Sequence, residues 1–142
     1  EAGALFASRG DDSGTHKKER ALWAAAGLEP QSQSGRWYLE TGSGMGSTLN
    51  VAVEKGAYVL SDRGTWISFR NKGKHSILLE GDVALHNPYG LIPVDPAHCP
   101  RVEAEKAQIF ADWITGPEGQ AAIANYRLEG QTLFFPNAQD GR

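Results

Sequence analysis

Ser8-Arg9-Gly10-Asp11-Asp12-Ser13-Gly14-Thr15-His16 is the stretch on which the reading of this chain turns. It stands between a short apolar run, Leu5-Phe6-Ala7, and a helix-forming run from His16 to Ala26. That order describes a buried strand end delivering a loop to the start of a helix. Arg9 brings a planar, permanently charged fork of donors suited to an oxyanion. Ser13 and Thr15 bring hydroxyl donors, and Gly14 lets neighbouring N–H groups converge on one point. A helix beginning here adds unpaired N–H groups and the positive end of its dipole. Together these residues describe a pocket for a small, desolvated anion.

Each residue also has a plainer role. Ser13 as a simple N-cap is worth about 1 kcal/mol, and a capping hydroxyl can still bind. Lys17 and Lys18 oppose the helix dipole by roughly 0.3–1 kcal/mol each, a cost that an adjacent anion relieves or solvent screens. Of Asp11 and Asp12, one is expected to pair with Arg9 and hold its guanidinium, the other to cap the helix or face water. Gly42-Ser43-Gly44-Met45-Gly46-Ser47-Thr48 is a second glycine-rich loop feeding a helix, Ser47 to Lys55. It lacks the Lys-Ser/Thr pair of a nucleotide P-loop. Backbone N–H groups of Gly44, Met45, Gly46 and Ser47 could face the same anion, while tight strand–helix packing explains the glycines equally well. Arg9-Gly10-Asp11 also spells the integrin-binding tripeptide, a weak signal at three residues.

Composition narrows the function classes. The 142 residues, 40% hydrophobic and 22% charged, suffice for one domain or two small lobes. A formal charge of −3 argues against a general nucleic-acid surface. Cys99 is the single cysteine, so it forms no internal disulfide and no cysteine zinc cluster. No apolar run approaches the ~20 residues that span a bilayer. The chain opens Glu-Ala-Gly-Ala-Leu-Phe-Ala without an initiator methionine, as a processed or excised segment would. Asp12 and His16 stand four apart, but no third metal ligand has a suggestive spacing, and His75, His86 and His98 are scattered. No Gly-x-Ser-x-Gly elbow supports a serine hydrolase. The expectation is therefore no enzyme, no catalytic residue, no metal and no cofactor.

Strands alternating with helices predict an α/β fold. The first helix is expected to turn Leu22, Trp23 and Ala26 inward and to end at Gly27. Residues 29–36 read as a loop and Trp37-Tyr38-Leu39 as a strand fragment. The second helix turns Leu49, Ala52 and Val53 inward, and Ala57 to Asp62 form a buried strand and turn. Asp62-Arg63 reads as a turn ion pair. Ile77-Leu78-Leu79 and Leu91-Ile92-Pro93-Val94 are two further strand candidates. Helices follow over Val102 to Thr115 and Pro117 to Tyr126, before an extended Leu133-Phe134-Phe135-Pro136. The four tryptophans, Trp23, Trp37, Trp66 and Trp113, are spread out and read as packing residues.

With these stretches in view, the chain resembles the substrate-binding proteins of tungstate and related molybdate ABC transporters. The matching segments are Ser8 to Glu19, Trp37-Tyr38, Gly42 to Leu49, Ala57 to Thr65, Glu80-Gly81-Asp82, Asn87-Pro88-Tyr89 and Leu133 to Pro136. The resemblance implies a type II periplasmic-binding-protein-like fold, with two α/β lobes around a cleft. It implies Arg9, Ser13 and Thr15 as ligands of a tungstate or molybdate oxyanion, assisted by Gly14, with Ser8 and the Gly44 to Ser47 loop as lesser contributors. A Thr/Ser-rich segment of the first lobe has no match here, so the chain resembles the C-terminal half of such a protein. Residues 1–142 would then be one fragment: about 1–88 the second-lobe portion, and about 89–142 a return strand and C-terminal helices that pack on the absent first lobe. Phe110, Ile114 and Ile123 would be left bare, and the fragment would self-associate. The partners implied are the oxyanion and a membrane permease, with no nucleic acid. The location implied is periplasmic or extracellular, peripheral to the membrane, with a lipoprotein anchor possible in principle. The alternative is an oxyanion-sensing effector domain of an intracellular transcriptional regulator.

Overall fold

A computed structural model describes residues 3–138; the reading of the chain start falls on Glu1 and Ala2, outside them. The chain divides between His86 and Asn87 into two compact units. The first runs β1 (Phe6–Ser8), α1 (Gly14–Ala25), β2 (Tyr38–Glu40), α2 (Met45–Lys55), β3 (Tyr58–Val59) and α3 (Arg63–Ser68). Short 3-10 turns lie at Pro30–Gln33 and Val83–Leu85. The three strands are parallel in the order β2-β1-β3, with Phe6 opposite both Tyr38 and Tyr58. Right-handed crossovers step from β1 out to β2 and then back past β1 to β3. That path puts α1 and α2 on opposite faces of the sheet.

Alternation along β1 serves both faces. Phe6 meets the edge of Trp23 on α1 with ring centroids 5.1 Å apart, and it stacks on Tyr38 at 6.1 Å. Ala7, on the other face, joins Ala52 of α2 and Ala57 in the apolar core, flanked by Leu5 and Val59. These small side chains let α2 lie close against the strands.

The inward face of α1 differs from expectation. His16 and Glu19 are buried and Trp23 half-buried, at helical spacing, while Ala26 is exposed. The sheet opposite them offers hydroxyl groups, so polar residues find partners there. Helix α3 was not expected either. Asp62 caps it, accepting the Thr65 N–H at 2.8 Å, and Arg63 reaches Glu80. The capping carboxylate replaces the expected Asp62-Arg63 turn pair.

The second unit contains α4 (Ala104–Thr115), α5 (Pro117–Asn125) and a hairpin of β4 (Arg127–Leu128) with β5 (Gln131–Thr132). A Cβ on Gly119 would fall 2.3 Å from the Trp113 carbonyl oxygen, so only glycine lets α5 start against the end of α4. Phe110 is exposed as expected; Ile114 and Ile123 are half-buried, and Ile109 and Trp113 are exposed instead.

Ile77-Leu78-Leu79 and Leu91-Ile92-Pro93-Val94 form no strand, and Leu78 and Ile92 are 74% and 86% exposed. An apolar run by itself fixes neither burial nor pairing, and neither run meets a second strand among the described residues. Leu133 to Pro136 is likewise irregular, with Phe134 edge-on to Tyr89.

Candidate anion site

Parallel strands release their loops at one edge of the sheet, and adjacent β1 and β2 therefore bring two loops side by side. Thr41 N–H donates to the Ser8 carbonyl at 2.9 Å, and Ser43 N–H to the Arg9 carbonyl at 3.2 Å. The Thr41 hydroxyl lies 3.1 Å from the Ser8 carbonyl oxygen and 2.8 Å from the buried Thr48 hydroxyl of α2. These bonds fasten the loop after β1 to the loop after β2. The start of α1 and the start of α2 thus share one rim.

Within the first loop, Asp11 is the organiser. Its Oδ2 accepts from Arg9 Nε at 3.1 Å and from Arg9 Nη2, and its Oδ1 accepts the Ser13 N–H at 3.2 Å. Asp11 therefore ties the guanidinium to the helix start, the first of the two roles foreseen for the acidic pair. Hydrogen bonds from Ser13, its hydroxyl foremost, and from Arg9 hold the Asp11 carboxyl at about 2, well below its ordinary 3.8. A guanidinium carries five N–H groups, so this pairing leaves both Nη1 donors for another acceptor. Asp12 takes the other role: its carboxylate lies at the surface, 3.5 Å from Lys17 Nζ.

Gly10 makes the bend possible. It sits at φ +60, and a Cβ there would lie 2.9 Å from Glu40 Cβ at the end of β2. Ser13 caps α1, its Oγ accepting the His16 N–H at 3.3 Å. Gly14 and Thr15 follow as the first residues of the helix, Gly14 exposed and Thr15 half-buried. On the second loop, Gly44 caps α2 with no side chain, so the first N–H groups of that helix have no side-chain acceptor. Met45 buries its side chain, whereas Gly44, Gly46 and Ser47 are exposed at the same rim.

Ser8 is fully buried. The Tyr38 hydroxyl lies 3.0 Å from Ser8 Oγ and 2.7 Å from Glu19 Oε1, and Ser8 Oγ accepts the Gly10 N–H at 3.3 Å. Tyr38 has one proton to give, and Glu19 Oε1, which also takes the Trp23 N–H, is its acceptor. The phenol then donates to Glu19 and Ser8 donates to the phenol. Burial raises Tyr38 to about 12, which keeps it protonated. The Ser8 hydroxyl is thereby engaged inward, beneath the loop. Trp23 Nε1 also donates to Glu19 at 3.2 Å. This line from Ser8 through Tyr38 to Glu19 was missed in the sequence; its signal was His16, Glu19 and Trp23 recurring at helical spacing.

His16 Nδ1 accepts the Asp12 N–H at 3.0 Å, so the pair considered for metal binding is joined through the backbone. Among the described residues no group of three or more His, Cys, Asp or Glu side chains could hold a metal, and no helix is long and apolar enough to cross a membrane.

Comparison with known proteins shows the family of the chain. Residues 1–118 match the family model described as a PBP superfamily domain. The chain is 45% identical, over 94% of its length, to the tungstate-binding protein TupA of Peptoclostridium acidaminophilum, covering 46% of that protein. It is 39% identical over 94% of its length to TupA of Campylobacter jejuni, covering 51%. The solved tungstate-binding protein TupA from Desulfovibrio alaskensis superposes with a TM-score of 0.76 at 43% identity, over 96% of this chain and 56% of that one. The chain thus spans about half the length of the curated relatives it matches. An α/β, periplasmic-binding-protein-like fold agrees with all of these, and the chain belongs to the PBP superfamily.

Proposed function

We propose that this chain is the second-lobe half of a two-lobed protein that captures tungstate or molybdate outside the cytoplasm for uptake by an ABC transporter. The observation that carries the reading is the Asp11 carboxylate spanning Arg9 and the Ser13 N–H, which fixes a guanidinium beside a helix start. Arg9, Ser13, Gly14 and Thr15 supply the donors on this lobe, and the uncapped start of α2 from Gly44 to Ser47 supplies further N–H groups. Relatives named as tungstate-binding proteins support the choice of anion.

The mechanism is capture without chemistry. The guanidinium and two helix starts balance the dianion, and the first lobe closes over it, presenting a compact form to the permease. Both nearby carboxylates are already engaged, Asp11 with Arg9 and Ser13, Asp12 with Lys17. A site built of donors favours a fully deprotonated oxyanion over a protonated phosphate, whose P–OH would compete with Arg9 and Ser13 for the Asp11 carboxylate. Ser8 supports the loop from beneath.

The exposed face of α4 at Ile109, Phe110 and Trp113 is the surface that the first lobe covers in this reading. Without that lobe the chain self-associates, and light scattering should give a mass above that of a monomer.

Calorimetric titration of the two-lobed protein with tungstate, molybdate, sulfate and phosphate tests the reading. Tungstate or molybdate should bind tightly, and Arg9→Ala should weaken the binding by about a hundredfold. Affinity undiminished by Arg9→Ala would remove Arg9 from the site.

A further inference from the structure

Ser13 caps α1 by accepting the His16 N–H, and the His16 side chain reaches back over the same turn. In the usual reciprocal cap, the side chain three residues into a helix reaches back to the N–H of the capping residue. Here the His16 ring reaches one residue further, to the N–H of Asp12. Asp12 sits at φ +58, in the left-handed region that few residues other than glycine adopt. The imidazole bond holds it there. A ring that accepts at Nδ1 is neutral and carries its proton on Nε2. His16 is only 7% exposed, and its Nε2 meets no partner among the described residues.

Asp12 lies between Asp11, which holds Arg9, and Ser13, which opens α1. One N–H fixed by the ring therefore orients both neighbours. We infer that His16 is a positioning residue of the anion loop: its neutral Nδ1, by accepting the Asp12 N–H, holds the turn that presents Arg9 and the start of α1 together. This rests on the oxyanion reading above. It assigns His16 a role through the loop, with no contact to the anion required.

Two substitutions separate the ring's two nitrogens. Asn places its Oδ1 where Nδ1 stands, whereas the polar atoms of Gln correspond to Nε2. In the two-lobed protein, His16→Asn should keep the Asp12 amide protected from hydrogen exchange and should keep tungstate affinity near that of the parent. His16→Gln should lose that protection and weaken tungstate binding by about tenfold, the scale of one hydrogen bond. Equal Asp12 protection in the parent and in His16→Gln overturns the inference, whatever the affinities. Equal loss of affinity in both variants, with the fold intact by circular dichroism, overturns it too. Parent protein that takes up no tungstate refutes the oxyanion reading itself, while the Asp12 exchange data still report on the ring's hold.

Discussion

The three-stranded sheet of the first unit and helix α4 of the second treat their apolar side chains in opposite ways. Around the three-stranded sheet, Ala7, Leu49 and Ala52 are each at most 1% exposed. On α4, Ile109, Phe110 and Trp113 share one face at helical spacing and are 69%, 52% and 42% exposed. The sheet and its two flanking helices close a core of their own, and the bonds that shape the Arg9 to Thr15 loop all lie within the first unit. The second carries a surface that awaits a cover. In the proposed reading, the first unit carries the donors of one lobe, and the helices of the second find their partner on the first lobe.

The largest effect should come from that second surface. Phe110→Ala should cost about 3 kcal/mol of stability in the two-lobed protein, as buried aromatic truncations do, but well under 1 kcal/mol in the 142-residue chain diluted until it is monomeric. Equal small costs in both, by urea denaturation, would break the contrast. Ala52→Leu should cost about 2 kcal/mol in either form, because the Ala7, Ala52, Ala57 contact has no room for three more carbons. Gly10→Ala should cost about 1–2 kcal/mol, since φ +60 and the crowding against Glu40 both penalise a side chain. The last effect is a titration. Asp11 is depressed from 3.8 to about 2, so the stability it contributes is complete above 3.8 and is lost as pH falls through about 2. Its carboxyl carbon resonance should titrate near 2; a midpoint at 3.8 would mean that Arg9 and Ser13 do not hold it.

The loop after β1 was legible in the sequence because each of its tasks uses a distinctive residue type. An arginine, a capping serine and glycines at the turns leave little freedom, and the helix ends at Gly27 and Gly56 follow from the same signals. Its neighbour, the Gly42 to Ser47 loop, was placed correctly next to a helix start that proved two residues earlier, at Met45. The buried line of Ser8, Tyr38 and Glu19 was not legible. Its members lie 30 and 19 residues apart, and only pairing of β1 with β2 brings them together. The expected strands at Ile77 and Leu91 failed for the converse reason. Their apolar character is real, but a strand is defined by a partner, and none stands beside them among the described residues. Helix α3 was lost because six residues offer less than two turns of periodicity, although Asp62 three before Thr65 was a usable capping signal.

Tungsten scatters strongly enough at its absorption edge to be located directly. Crystals of the two-lobed protein grown with tungstate should show one anomalous peak bounded by the Arg9 Nη1 group and the N–H and hydroxyl groups of Ser13 to Thr15, with Asp11 still on the far edge of the guanidinium. A peak elsewhere, with Arg9 unchanged and that rim empty, would contradict the oxyanion site.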